Sequence, residues 1–179
     1  MISVTRWFGE KRLRAIEHDQ GSPLSYLRQM LRVSPAHFFT FIKILPLATF
    51  RRALPPEAYH LARIVTARHE HGGTYLQMEI RLAQQAGLRP PHIHAVLNES
   101  PCALPPDLAE VYFFAETVAR GSGEEDHWRE AIMRRYGEVG LIELAQAISI
   151  ARLFPTVMHV MGCAAPGASQ HRQDGGPDR

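Results

Sequence analysis

Residues 59–88 read YHLARIVTARHEHGGTYLQMEIRLAQQAGL. Leu61, Ile64 and Val65 follow the i, i+3, i+4 spacing of a helix with one buried face. Gly72-Gly73 interrupts that helix, because a glycine pair is a strong breaker. A second helix is predicted from Thr74 to Ala86, with Gly87 stopping it as the residue just past the C-cap. The stretch is therefore a helix, a tight turn and a helix, and no alternation of period two is sustained in it or elsewhere in the chain.

The same punctuation extends outward in both directions. Upstream, Leu24 to Leu31 reads as a short helix. Ser34-Pro35 is an N-cap followed by proline at the first helical position. It opens a helix to about Arg52 that Pro46 should kink or split. Pro55-Pro56 starts the helix of the quoted stretch. Downstream, Pro90-Pro91 starts a helix to about Asn98, and Pro105-Pro106 starts another that runs to Arg120 and stops at Gly121. A helix from Asp126 to Arg135, a turn over Gly137 to Gly140, and a helix from Leu141 to Met161 with a kink at Pro155 complete the pattern. The expectation is an all-α bundle of seven or eight helices over residues 23–163. Residues 1–22 read as an N-terminal extension that packs weakly or on a partner. Residues 164–179, rich in Gly, Pro, Gln and Asp, read as a disordered tail, since they carry too little apolar surface to offset the entropy of ordering.

The totals bound the function classes. The chain has 179 residues, 45% hydrophobic, with 21% charged and a net charge of +2. That length and composition fit one domain with an ordinary surface. Arg51 and Arg52 and the other basic pairs form no long stripe, so no nucleic-acid partner is expected. No apolar run reaches the length of a membrane helix and no secretory leader is evident, so the expected location is cytoplasmic, without a membrane partner. Cys102 and Cys163 form neither a CxxC pair nor a zinc spacing and read as buried or partly buried thiols.

The quoted stretch resembles the central motif of the carboxymuconolactone decarboxylase and alkylhydroperoxidase (AhpD-like) superfamily, and Ala83 and Gly87 fit its small-residue close. Tyr136-Gly137-Glu138 and Ile142-Glu143-Leu144 resemble the family's closing stretch, so the likeness covers about residues 24–163. Aligned on Gly87, the family's two cysteine positions fall on Gly72 and Tyr75, its histidine on Glu79, and its upstream glutamate on His60. The resemblance implies an AhpD-like bundle assembled as a homo-oligomer, a trimer or hexamer, with a site near a subunit interface. Peroxide reduction by a thiolate and a resolving thiol is not expected, because both cysteines of the motif are missing.

The exchange of Glu and His still allows an imidazole–carboxylate pair. A carboxylate beside a histidine fixes its tautomer and raises its pKa towards neutrality, where it serves as acid or base. Tyr75 stands four residues before Glu79, on the same helical face. His60, Tyr75 and Glu79 are thus the candidate catalytic residues, with His71, Gly72 and Arg51 as candidate substrate contacts. No cofactor is expected, since nothing resembles a phosphate-binding loop. No metal is expected either, with His69, His71, His92 and His94 as the alternative ligand set. The expected activity is cofactor-free, non-redox acid–base chemistry on a small organic acid, lactone or ketone, of decarboxylase, isomerase or lactone-opening type. The alternative is a non-catalytic ligand-binding or assembly protein on the same scaffold, in which the three side chains only join two helices.

Overall fold

The computed structural model describes residues 4–21, 24–70 and 73–163. His71, Gly72 and the 164–179 tail lie outside the described residues. Among the described residues there are eight α-helices, two 3₁₀ stretches and no strand. They are α1 (Val4–Gln20), α2 (Ser25–Val33), α3 (Pro35–Phe41), α4 (Pro56–His69), α5 (Gly73–Gln85), α6 (Pro90–Leu97), α7 (Pro106–Arg120) and α8 (Glu125–Val160). The 3₁₀ stretches are Ile42–Ala48 and Pro101–Ala103. The all-helical expectation holds.

Helix boundaries follow the punctuation. Prolines open α3, α4, α6 and α7, where the missing N–H costs nothing. The Ser34 side chain caps α3 by accepting from the His37 amide. Helix α5 ends in a Schellman motif: the Leu88 amide donates to the Ala83 carbonyl at 2.9 Å and the Gly87 amide to that of Gln84 at 3.1 Å, with Gly87 at φ 96°. The small residue and glycine of the AxxxG close are the two ends of that cap.

Three expectations change. The helix predicted to reach Arg52 stays α-helical only to Phe41 and tightens into the 3₁₀ stretch that contains Pro46. The predicted turn over residues 137–140 shrinks to one residue: Gly137, at φ 70° and ψ −178°, is the non-helical position within α8, and helical geometry resumes at once. The N-terminal extension is itself a helix, and it buries Gly9, Leu13 and Ile16 against its neighbours α2 and α3.

Helix α4 is the centre of the bundle. It packs on α5, α6, α7 and α8, and Ala58, Tyr59 and every residue from Leu61 to Ala67 are buried. A helix apolar on all sides belongs inside a core. Two apolar clusters surround it. One joins α4 to α5, α6, α7 and the middle of α8. The other joins α1, α2, α3 and the Ile42–Ala48 stretch to Ala67, Tyr75 and the far part of α8 at Ile150 and Phe154. Helix α8 is long and apolar enough to cross a membrane by length and composition, yet it packs on α4 and α7 and is 44% buried over its most apolar window.

Candidate functional site

A buried charge fixes the centre of the site. Arg63 is on α4 in the middle of an otherwise apolar run, and it is 4% exposed. Burying a guanidinium is tolerable only if its charge and its hydrogen bonds are met. All five of its N–H groups are. Nε donates to Glu79 Oε2 at 2.8 Å and Nη2 to Glu79 Oε1 at 2.5 Å. Nη1 reaches the Ala48 carbonyl at 2.7 Å and the Tyr59 hydroxyl at 3.2 Å, and Nη2 also reaches the Tyr75 hydroxyl at 3.4 Å. Burial disfavours the Arg63 charge, but Glu79 more than restores it and holds the pKa above its ordinary value.

This arrangement corrects the expected catalytic pair. Glu79 is fully buried and its carboxylate is taken by Arg63 in a two-pronged ion pair. No hydrogen bond joins it to His60. His60 is one turn before Arg63 on α4, half-buried, and its Nε2 lies 3.3 Å from Arg51 Nη1. A guanidinium only donates, so Nε2 is the acceptor and the neutral ring carries its proton on Nδ1. Nδ1 is buried and has no hydrogen-bond partner. Burial, then the Arg63 charge, push the His60 pKa down to about 4; Glu79 pulls the other way and Arg51 adds to the fall. The expected rise towards neutrality is therefore reversed, and the imidazole is neutral at pH 7. Tyr75 is 3% exposed, and burial followed by the Glu79 charge push its pKa well up, so the phenol stays protonated.

His60, Arg63, Tyr59, Tyr75 and Arg51 all face one cavity of about 850 Å³. Its remaining wall is mainly apolar and comes from α1, α2, the 3₁₀ stretch, α5 and the end of α8, through residues such as Ile16, Leu24, Leu45, Met78, Phe154 and Met158. Arg51 reaches the cavity from the loop between Ala48 and α4, with its guanidinium 5.2 Å from the centre of the Tyr59 ring.

Two clasps hold that loop. The Ala48 carbonyl accepts from both the Tyr59 hydroxyl, at 2.8 Å, and Arg63. On the other side of Arg51, the buried carboxylate of Glu143 accepts from the backbone amides of Arg52 at 2.5 Å, of Ala53 at 3.1 Å and of Leu54 at 2.8 Å. Burial opposes a charge on Glu143, but those amides and Arg51 outweigh it and keep the carboxyl below its ordinary pKa. Glu143 had entered the sequence reading only as part of a resemblance, and Arg63 not at all.

Of the alternative metal set, the described histidines His69, His92 and His94 do not converge. His69 Nε2 lies 2.8 Å from Glu116, which Arg68 and Arg120 also clasp. His92 is buried with Nε2 2.9 Å from Arg89, while His94, two residues on, is exposed on the opposite side of α6. Among the described residues no group of three His, Cys, Asp or Glu side chains is placed to hold a metal ion. Cys102 is exposed and Cys163 is half-buried at the cavity wall, so the expectation of two covered thiols holds for one.

Comparison with known proteins adds no assignment: no protein-family model, no curated protein and no solved structure matches this chain.

Proposed function

We propose that the cavity binds an organic acid with an apolar body, and that His60 is the base that acts on it. Arg51 supplies the cation for the carboxylate, as guanidinium groups do in planar, two-pronged recognition. The observation that carries this reading is the contact between Arg51 and a neutral His60 inside the cavity. In the free protein Arg51 occupies the one basic nitrogen of the ring. A carboxylate that engages Arg51 draws it off Nε2 and leaves that nitrogen free to accept a proton from the ligand. The reaction class that follows is proton transfer at the carbon next to a carbonyl, as in isomerisation, on small acids that also carry a ketone or lactone carbonyl. Arg63 and Glu79 hold the two helices and the Ala48 end of the loop; they do not take part in the proton transfer.

The scaffold reading stays with the carboxymuconolactone decarboxylase and AhpD-like superfamily, as a divergent member that works without the cysteine pair. Its support is the packed pair of consecutive helices α4 and α5 with the cavity beside it. Assembly into a trimer or hexamer is part of the same proposal. It is supported by exposed apolar side chains at Phe50, Val139 and Ile142, where Val139 and Ile142 stand one turn apart on α8.

A second reading, binding without turnover, is favoured by one observation. The carboxylate that would have strengthened His60 as a base is spent on Arg63. Exchange of ligand hydrogens in D2O, followed by NMR over a panel of keto acids, lactones and ketones, separates the two. The enzyme reading expects exchange at the carbon next to the carbonyl, lost at least a hundredfold in His60→Ala. Binding that Arg51→Ala weakens, with no exchange for any member of the panel, leaves only the binding reading.

A further inference from the structure

We infer that the cavity is an elongated groove whose ligand is an aliphatic monocarboxylate of medium to long chain; the inference rests on the Arg51 and His60 reading above. Its shape is legible from which residues of α5 and its C-terminal cap line it: Thr74, Tyr75, Met78, Leu82, Gln85 and Ala86. They stand at i, i+1, i+4, i+8, i+11 and i+12, one unbroken face of the helix. At about 1.5 Å per residue that face runs for roughly 18 Å. Another part of the wall is α1, through Arg12, Ile16, Asp19 and Gln20, again on one face of a helix. Two helical faces that line a cavity along their length make a groove, not a compact pocket.

The two ends differ in chemistry. Helix α4 ends at His69 and α5 begins at Gly73, the two pack together, and Arg63 on the first pairs with Glu79 on the second. The chain therefore runs antiparallel there, and His60 lies level with Leu82, towards the Gln85 end of the face. The other end, at Tyr75, meets the Phe154 ring with centroids 6.4 Å apart, and Met158 follows one turn on. One end thus carries the guanidinium and the imidazole, while the other is aromatic and aliphatic. Among the charged side chains in the wall, Arg12, Arg51 and Arg63 face a single acid, Asp19, and Arg63 is already neutralised by Glu79. A monocarboxylate with its head at Arg51 and its chain along Leu82, Met78 and Phe154 satisfies both ends.

The test is calorimetric titration of the unmodified full chain with butyrate, hexanoate, octanoate and decanoate, each below its micelle concentration. The expected result is a gain of about two- to fourfold in affinity per methylene, from burial of each added CH2, with Arg51→Ala weakening all members alike. Met158→Trp, which fills the apolar end, is expected to weaken decanoate at least tenfold and leave butyrate within twofold. An affinity that is measurable, Arg51-dependent and flat across the series overturns the elongated ligand and leaves the acid-binding site standing. Equal weakening of every member by Met158→Trp, or none, also overturns it, as does a loss in Arg12→Ala in place of Arg51→Ala, which would seat the carboxylate elsewhere. Failure of all four acids to bind overturns this inference and the acid-binding reading together.

Discussion

At the scale of single residues, the distinction that matters is between the buried ion pair and the imidazole beside it. Arg63 and Glu79 are both inside the protein, so removing one strands the other. Arg63→Met is expected to cost about 3–5 kcal/mol in urea unfolding, because an uncompensated buried carboxylate is left behind. The double change Arg63→Met with Glu79→Leu should recover most of that loss, since an apolar pair of similar volume is often as stable as a buried salt bridge. His60 behaves differently. Its folded pKa of about 4 lies below the ordinary value of 6.5. Between those values the unfolded chain binds a proton that the folded chain refuses, so stability rises with pH across this window. Its contribution is complete above pH 6.5 and falls away as pH drops towards 4. Unfolding midpoints measured from pH 7 to 4 should therefore decline more steeply for the natural chain than for His60→Asn. His60, Tyr75 and Arg51 line one cavity, while Glu79 pairs with Arg63 and not with the expected His60. A signal was present: Arg63 interrupts the run Leu61 to Ala67, where a charge must be met, and Glu79 is the one acid of the next predicted helix, Thr74 to Ala86. An alignment on motif positions weighs Glu79 against His60 and passes over the nearer rule that a buried charge finds its counter-charge first.

At the scale of elements, the loop between Ala48 and α4 decides whether Arg51 is held in place. Glu143→Gln removes the charge and turns one of the two accepting oxygens into an NH2 group that faces a backbone N–H. Charge-assisted bonds are roughly twice as strong as neutral ones, so a loss of about 1–2 kcal/mol in stability is expected, with weaker carboxylate binding measured by calorimetry. The Glu143 carboxyl is held below its ordinary value of 4.5. Its contribution is present above that value and is lost as pH falls through its folded pKa, in the same direction as that of His60. Gly137 is the second sensitive point. At φ 70° and ψ −178° it occupies a region essentially closed to other residues. Gly137→Ala should lower stability by about 1–3 kcal/mol in thermal unfolding. Most boundaries were legible because proline and glycine act locally: Pro56, Pro90, Pro106, Gly87 and Gly121 all stand where a helix begins or ends. The single-residue break at Gly137 and the 3₁₀ stretch around Pro46 were less legible, since both depend on what packs around them. The Leu13 and Ile16 stripe of α1 was too sparse, among so many charges, to reveal a helix whose partner is α2.

At the scale of the whole molecule, the two apolar clusters meet around α4, and the groove lies where the second of them borders α4 and α5. Its walls come from both ends of the chain, from α1 to the end of α8, so no short segment of sequence contains the site. That is why composition and motif reading reached the fold class more readily than the cavity. The exposed Phe50, Val139 and Ile142 lead to an expectation at this scale. Mass photometry should give a trimer or hexamer, and Val139→Glu with Ile142→Glu should return it to a monomer with its helical circular dichroism unchanged. A chain that is monomeric before the substitutions contradicts the assembly proposal.

The most direct test of the central claim, a neutral His60 that lends Nε2 to Arg51 inside an acid-binding cavity, is an NMR pH titration of the His60 ring nitrogens. It is run with and without octanoate and repeated in Arg51→Ala. The account expects the Nδ1–H tautomer at pH 7, a pKa near 4 that rises when Arg51 is removed, and a shift of the Nε2 resonance when the acid binds. A His60 that titrates at or above 6.5, or that carries its proton on Nε2 and ignores octanoate, would contradict it.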